Sequence, residues 1–211
     1  AEMDLKPIIN TNGNVLTKEL LKELKNAGVY GFTFHVDSKQ GRPKWKEKNE
    51  IELNELRLQY AEMLAEVGGI SCAFNATVYE HTLQHVPDIV EWGQKHIDIV
   101  NILVFIAYRA AQVHKGYEYL VGGKKVDMAP IMYAIDKDRQ ISIMSTDIVN
   151  TIRTKSPDFQ PCAYLNGTER PDHFKWLLTL RIGTKDKIFG YAGPKFMELS
   201  QSLHHFVNGT Y

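Results

Sequence analysis

The chain has little cysteine and no long apolar run. Cys72 and Cys162 are the only two cysteines among 211 residues, and no Cys-x-x-Cys pair occurs. So sparse a set excludes a disulfide scaffold, and we expect two reduced thiols in a cytoplasmic protein. The longest apolar stretch, Ile102 to Ala107, is strand-sized, whereas a membrane-spanning helix needs about 20 apolar residues. The sequence therefore predicts no membrane association.

An excess of charge of either sign is also missing. Lys and Arg total 25, Asp and Glu total 25, and the formal net charge is zero. This balance disfavours a strongly basic nucleic-acid-binding protein. The sequence lacks the G-x-G-x-x-G fingerprint of nicotinamide cofactors, the P-loop and the G-x-S-x-G nucleophile elbow. Hydrophobic residues make up 44% of the chain, which is ordinary for a globular protein.

The first half of the sequence repeats a strand–helix pattern. Short apolar strands alternate with segments whose apolar residues recur at helical spacing and end at glycine. The predicted strands are Pro7 to Asn10, Val29 to Val36, Ile70 to Val78 and Ile97 to Ala107. The predicted helices are Lys18 to Asn26, a segment from the Asn49–Glu52 capping box to Val67, and one from Pro87 to Lys95. This order predicts an α/β fold with a parallel sheet, either doubly wound or a segment of a (β/α) barrel.

The second half has no such repeat. We expect helices from Ser145 to Lys155, Pro171 to Arg181 and Pro194 to Val207, the last with apolar residues on one face. We therefore divide the chain into an α/β unit, residues 1–109, and a mostly helical C-terminal extension, residues 110–211, that covers one side of the sheet.

Polar residues follow each predicted strand. Because the carboxyl ends of parallel strands meet at one edge, where ligands bind in such folds, these residues predict a site. They are Thr11, Asn12 and Gly13, then Asp37 and Ser38, then Asn75 and Thr77, and finally Tyr108 and Arg109. We expect Asp37 and Ser38 to lie at the rim, so that replacing them would hardly affect folding.

Two arrangements of histidines are candidates for metal binding. His35 shares a strand face with Thr33 and Asp37, so it either faces a polar lumen or is a satisfied buried histidine. His81 and His85 have i, i+4 spacing, but Pro87 indicates that the helix begins after them. We expect these two in a solvated loop and predict no metal ligands. A metal-dependent (β/α)-barrel enzyme using His35 and Asp37 stays open as an alternative.

The block from Thr11-Asn12-Gly13 through Thr17, together with the later strand ending in Asp37-Ser38, resembles the radical S-adenosylmethionine (SAM) superfamily. The resemblance covers residues 6–109 and includes Asn75 in the following strand. It implies a partial (β/α) barrel and an iron–sulfur oxidoreductase that reductively cleaves SAM to a 5′-deoxyadenosyl radical. It also implies an electron donor and a small-molecule or peptide substrate, which the sequence does not specify.

The resemblance assigns cofactor-binding roles to several strand-end residues. It implies that Asp37 and Ser38 contact the ribose or the amino-acid part of SAM, and that Asn75 lies near the adenosine side. Tyr108 and Arg109 would hold the SAM carboxylate or a substrate anion, and Asn12, Gly13 and Thr77 complete the implied SAM-binding set. No catalytic residue is assigned.

The chain departs from the family in one respect. The Cys-x-x-x-Cys-x-x-Cys motif, whose thiolates bind the family's [4Fe–4S] cluster, is absent. We therefore expect the cluster ligands upstream of Ala1, in a longer protein of which this chain is a fragment. The strand at Lys6 to Asn10 would then be an unpaired edge that promotes association. A non-catalytic binding module on a degenerate barrel is the other alternative.

Overall fold

The first half of the protein forms alternating strands and helices, as the repeat predicts. The computed structural model describes residues 5–108, 118–127, 143–165 and 176–209. The elements of the first half are β1 (Ile8–Thr11), α1 (Lys18–Asn26), β2 (Gly31–His35), α2 (Asn54–Val67), β3 (Ser71–Val78), α3 (Val86–Lys95) and β4 (Ile102–Ala107). β1 to β4 pair in sequence order, and each neighbouring pair is parallel. The predicted α/β class and parallel pairing are confirmed.

Local signals explain where two of these helices begin. The Thr17 side chain accepts a hydrogen bond from the Leu20 N–H at 3.2 Å, which caps α1. The capping box at Asn49 and Glu52 is present, since each side chain accepts from the other residue's backbone N–H. It opens a turn, however, and α2 itself begins only at Asn54. The predicted helix start is therefore several residues too early.

The second half adds further strands to the same sheet. Its elements are β5 (Leu120–Val121), β6 (Lys124–Lys125), α4 (Ser145–Arg153), β7 (Ala163–Leu165), β8 (Trp176–Gly183), β9 (Ile188–Tyr191) and α5 (Pro194–Asn208). β8 is antiparallel to β4, and β7 and β9 both pair with β8. The strand order is β1-β2-β3-β4-β8-β7, and β5 and β6 form a separate hairpin.

The expectation of a mostly helical extension is wrong in its central element. The segment expected as a helix up to Arg181 is strand β8 where the structure describes it. Along β8, Leu177, Thr179 and Arg181 are buried while the residues between them are half-buried, which is the two-residue alternation of a strand. The helices expected near Ser145 and Pro194 are present as α4 and α5.

The main core lies on one face of the sheet. Alternate residues of β2, β3 and β4, among them Phe34, Phe74 and Phe105, pack in one cluster with buried residues of α1 to α4 such as Leu64 and Ile148. The intervening strand residues point to the opposite face. Within the described residues β1 and β7 do not pair, so no closed sheet is found. No helix in the described ranges is long and apolar enough to cross a membrane.

Candidate functional site

A histidine–aspartate pair lies at the carboxyl ends of β2 and β3. His35 Nε2 is 2.9 Å from Asp37 Oδ2 and 2.9 Å from Thr77 Oγ1. Burial raises the pKa of Asp37, but hydrogen bonds and charge from His35, with further hydrogen bonds from Lys39 and Thr77, outweigh it and hold the pKa below its usual value. Asp37 is therefore an ionised, buried carboxylate.

This pair fixes the protonation pattern of the imidazole. A carboxylate can only accept hydrogen bonds, so His35 presents Nε2–H to Asp37. In a neutral ring Nδ1 is then the hydrogen-bond acceptor. The His35 side chain is 31% exposed, so a ligand can approach it. A neutral His35 can therefore accept a hydrogen bond from a bound molecule at Nδ1.

Asp37 itself does not lie at the rim, contrary to the expectation. It is 4% exposed. Its Oδ2 is occupied by His35, and its Oδ1 accepts from the Lys39 N–H at 3.0 Å. The prediction that both Asp37 and Ser38 are rim residues is wrong for Asp37, which follows the end of β2, caps the 3-10 turn Ser38–Gln40 and pairs with His35. Asp37 acts through His35 and offers no open face to a ligand.

Ser38 is held in place by a buried ion pair. The Ser38 N–H donates to Glu50 Oε1 at 2.8 Å. Glu50 Oε2 in turn accepts from Arg57 Nη2 at 2.9 Å, and the same nitrogen donates to the Val36 carbonyl at 2.9 Å. The bond to Glu50 uses only the backbone N–H of Ser38. Among the described residues the Ser38 hydroxyl has no partner, so it can bond a ligand.

Arg42 joins the ends of β1 and β2. Its guanidinium donates to the backbone carbonyls of Asn12 and His35 and to Asn14 Oδ1 at 2.8 Å. Arg42 is buried although it comes from a loop rich in charged residues. The loop after β2 is thereby fixed to the edge where the strand-end residues gather.

Asn12 and Gly13 have structural roles in the turn after β1. Asn12 Oδ1 accepts from the Asn14 N–H at 3.1 Å. Gly13 has φ +74°, and a Cβ there would lie 2.7 Å from Tyr60 Cζ. Only glycine satisfies both the left-handed backbone and the close approach of the ring. The turn and its packing account for this pair, and the exposed Asn12 side chain also faces solvent at the site's edge.

The remaining predicted site residues divide between the edge and the interior. Thr77 contacts His35 at the edge. Asn75 lies two residues earlier on the same face of β3 and is only 2% exposed. Asn75 Oδ1 is buried, and no described residue donates to it. The Tyr108 ring tilts against Tyr79 with centroids 4.8 Å apart. Arg109 lies outside the described residues.

A cavity of about 490 Å³ opens on the sheet face away from the main core. Its walls come from the amino-terminal halves of β1 to β4 and from β8, and they include Ile102, Val104, Trp176 and Leu178. Asn75 lines its inner end. The cavity thus adjoins the strand-end site but extends toward the opposite edge of the sheet.

Metal and cluster ligands do not assemble in the described part of the chain. No group of three or more His, Cys, Asp or Glu residues there could hold a metal ion. Cys72 and Cys162 are both buried, and burial raises the pKa of Cys72 to about 12. A [4Fe–4S] cluster is held by three or four cysteine thiolates that converge on it, and this sequence has only two cysteines, so these cysteines do not fit it. His81 and His85 lie in a 3-10 turn, Glu80–His85, ahead of α3.

Sequence reasoning missed the arginines that build the edge. Arg57 is fully buried in α2 and bonds Glu50 and Val36 beneath Ser38. A signal was available for Arg57, because it falls between Leu53 and Tyr60 on the apolar stripe of its helix. Arg42 gave no such signal, because it lies in a polar loop and its partners Asn12 and Asn14 belong to a turn about 30 residues earlier in the sequence.

Comparisons with protein-family models, with curated proteins and with solved structures found no match to this chain.

Proposed function

We propose that this chain is part of a radical SAM enzyme, in which the sheet is the later part of a partial barrel and binds SAM at the carboxyl ends of β1 to β4. The observation that carries the proposal is the convergence of the His35–Asp37–Thr77 cluster and Ser38 at that edge. The resemblance of the Thr11-Asn12-Gly13 block to the superfamily adds the identity of the cofactor. Bound SAM is the source of the radical in this family.

The chemistry of the edge suits a nucleoside with a charged amino-acid tail. The Ser38 hydroxyl can donate to or accept from a ribose or carboxylate oxygen, and His35 Nδ1 can accept from a ribose hydroxyl or an amino group. Asp37 positions the imidazole and supplies negative charge near a sulfonium. The described cysteines do not fit the cluster, so the proposal assigns this chain only the binding and orientation of SAM.

Calorimetric titration of the full chain with SAM tests the proposal. We expect a saturable site, and the double variant Ser38→Ala/His35→Gln should bind about 5- to 150-fold more weakly, the loss expected for one or two ligand hydrogen bonds. Ser202→Ala/His204→Gln is the matched control, because both residues are exposed on α5. Thermal melts establish that each variant is folded. The absence of saturable binding, or equal affinities for the two double variants, would contradict the proposal.

A further inference from the structure

Helix α5 carries an exposed stripe of apolar side chains. Its members, each between 50% and 87% exposed, are Phe196, Leu199, Leu203, Phe206 and Val207. None of the 15 residues of α5 is buried, and the half-buried ones, Met197, Ser200 and His205, lie outside the stripe. The stripe is therefore uncovered within the described part of the chain, and a contiguous apolar surface of this kind marks an interaction site.

The spacing of the stripe is typical of a helix that pairs with another helix. Its first four members follow one another at intervals of three, four and three residues, which are the a and d positions of two heptads. The stripe is also centred on the helix, whose middle residue is Gln201. Phe196 and Phe206 each lie five residues from this middle, and Leu199 and Leu203 each lie two residues from it. The apolar pattern is therefore the same when it is followed from either end.

We infer that α5 is a dimerisation helix, which pairs antiparallel with α5 of a second copy of this chain. A two-fold axis through the middle of the helix brings Phe196 of one copy against Phe206 of the other. The same axis brings Leu199 against Leu203, so that residues of the same kind meet along the whole seam. This interface goes beyond the proposed SAM site and does not depend on it.

The charges beside the seam favour the antiparallel arrangement. Apart from Val207, the residues that flank the seam in the heptads are Lys195, Ser200 and Ser202, and only the lysine is charged. In an antiparallel pair each Lys195 lies beside the carboxyl end of the other helix, where the helix dipole favours a cation. In a parallel pair the two lysines would lie at the same end and repel each other.

The area of the stripe suits a dimer of moderate affinity. A fully exposed phenylalanine presents about 200 Å², so the five partly exposed side chains together present about 600 Å² per copy. Burying most of this area on both copies removes roughly 1,000 Å² from water, which is near the lower limit for a specific interface. We therefore expect a dissociation constant between about 1 and 100 μM.

Sedimentation equilibrium of the full chain, from about 1 to 300 μM, measures the dimer. Every chain carries Ile8→Lys, because β1 is another exposed apolar edge and a lysine there opposes strand pairing. We expect a monomer–dimer equilibrium that Leu203→Lys weakens at least about tenfold, since it places a charge in the apolar seam of both copies. Gln201→Lys is the matched control, because Gln201 is exposed on the side of α5 opposite to the stripe. It should dimerise as its parent does.

Cysteine cross-linking tests the orientation of the pair. Leu199→Cys and Leu203→Cys chains, one of them isotopically labelled, are mixed and mildly oxidised, and the native Cys72 and Cys162 are both buried. The antiparallel pair predicts disulfide-linked dimers that contain one chain of each kind. A parallel pair would instead link each variant to itself.

Three results would overturn the inference: a chain that stays monomeric over the whole range, equal dimerisation of Leu203→Lys and Gln201→Lys, or cross-linking of each cysteine variant mainly with itself. A monomeric chain that binds phosphatidylglycerol vesicles would assign the stripe to a lipid surface instead. Phe206→Gln keeps the test decisive if Leu203→Lys does not fold, because Phe206 is 87% exposed and its replacement should weaken the dimer without affecting the core.

Discussion

Arg57 and Arg181 are both buried, but their surroundings differ. The Arg57 guanidinium bonds Glu50 and the Val36 carbonyl. Arg181 is 6% exposed and donates only to the Val100 carbonyl at 3.1 Å, and its Nε and Nη1 are buried without partners among the described residues. Burial lowers the pKa of Arg181 to about 10, and Tyr191 offsets only part of that effect. Burial also lowers the pKa of Arg57, and its Nε is buried without a partner among the described residues, but Arg57 has a carboxylate partner in Glu50, whereas no described carboxylate pairs with Arg181.

The two arginines should respond oppositely to the same substitution. Arg57→Met leaves Glu50 buried and unpaired, so we expect it to lower the free energy of unfolding by about 3–5 kcal/mol. Arg181→Met removes an uncompensated cation and should be neutral or stabilise by about 1 kcal/mol. Urea denaturation at pH 7 measures both. A loss in Arg181→Met as large as that in Arg57→Met would contradict the contrast.

Asp37 should make the stability of the protein depend on acid pH. Its folded pKa lies below the ordinary value of 3.8, so its contribution is fully present above that value and is lost as pH falls below it through the folded pKa. Asp37→Asn should therefore destabilise the protein by about 1–3 kcal/mol at pH 7. The gap from wild type should shrink below pH 3.8.

Unfolding followed by circular dichroism from pH 7 to pH 2 measures this gap, and Asp186→Asn is the control because Asp186 is exposed on the turn after β8. A gap of constant size across that range would show that the Asp37 carboxylate does not contribute through its charge.

At the scale of elements, the first half of the fold is readable from sequence and β8 is not. The strands and helices up to β4 have clear periodicity and glycine or polar ends, so local pattern suffices. The segment around Leu177 to Leu180 is apolar apart from Thr179, and such a short apolar run fits a buried helix as well as a strand. Pairing with β4 makes this segment a strand. That pairing joins segments far apart in sequence, so the local pattern does not reveal it.

The candidate site shows the same division. Asp37 and Thr77 both contact His35, because parallel strands bring their carboxyl ends to one edge. The burial of Asp37 and the anchoring by Arg42 arise from a loop folding back on the sheet, which no local pattern specifies. Helix α5 also shows that a local pattern does not specify what an element packs against. Its apolar stripe is present as predicted, but no described residue covers Leu199 or Phe206, which are exposed.

At the scale of the whole molecule, the sheet ends in a strand with one free side. Among the described residues β1 pairs only with β2, and Ile8 is 59% exposed. An unpaired apolar edge promotes association with a second copy. We expect sedimentation velocity to show concentration-dependent association of the chain.

Ile8→Lys should reduce this association, because a lysine on an edge strand opposes pairing. Val15→Lys is the matched control: Val15 is 81% exposed but lies in the turn after β1. A wild-type chain that stays monomeric at every concentration, or equal association of the two variants, would exclude β1 as the associating edge.

Arg42 ties the carboxyl end of β1, but not its amino end, to β2. Because the guanidinium of Arg42 bridges the carbonyls of Asn12 and His35, the carboxyl end of β1 cannot leave β2 without breaking one of these two bonds. Outside the strand ladder, the amino end is held among the described residues by the bond from the Tyr30 N–H to the Pro7 carbonyl and by Lys6 Nζ, which lies 5.2 Å from the centre of the Tyr30 ring; neither is a buried side-chain bridge like that of Arg42. β1 should therefore peel from its amino end, and in deuterated solvent the amides near Ile8 would exchange before those beside Asn12.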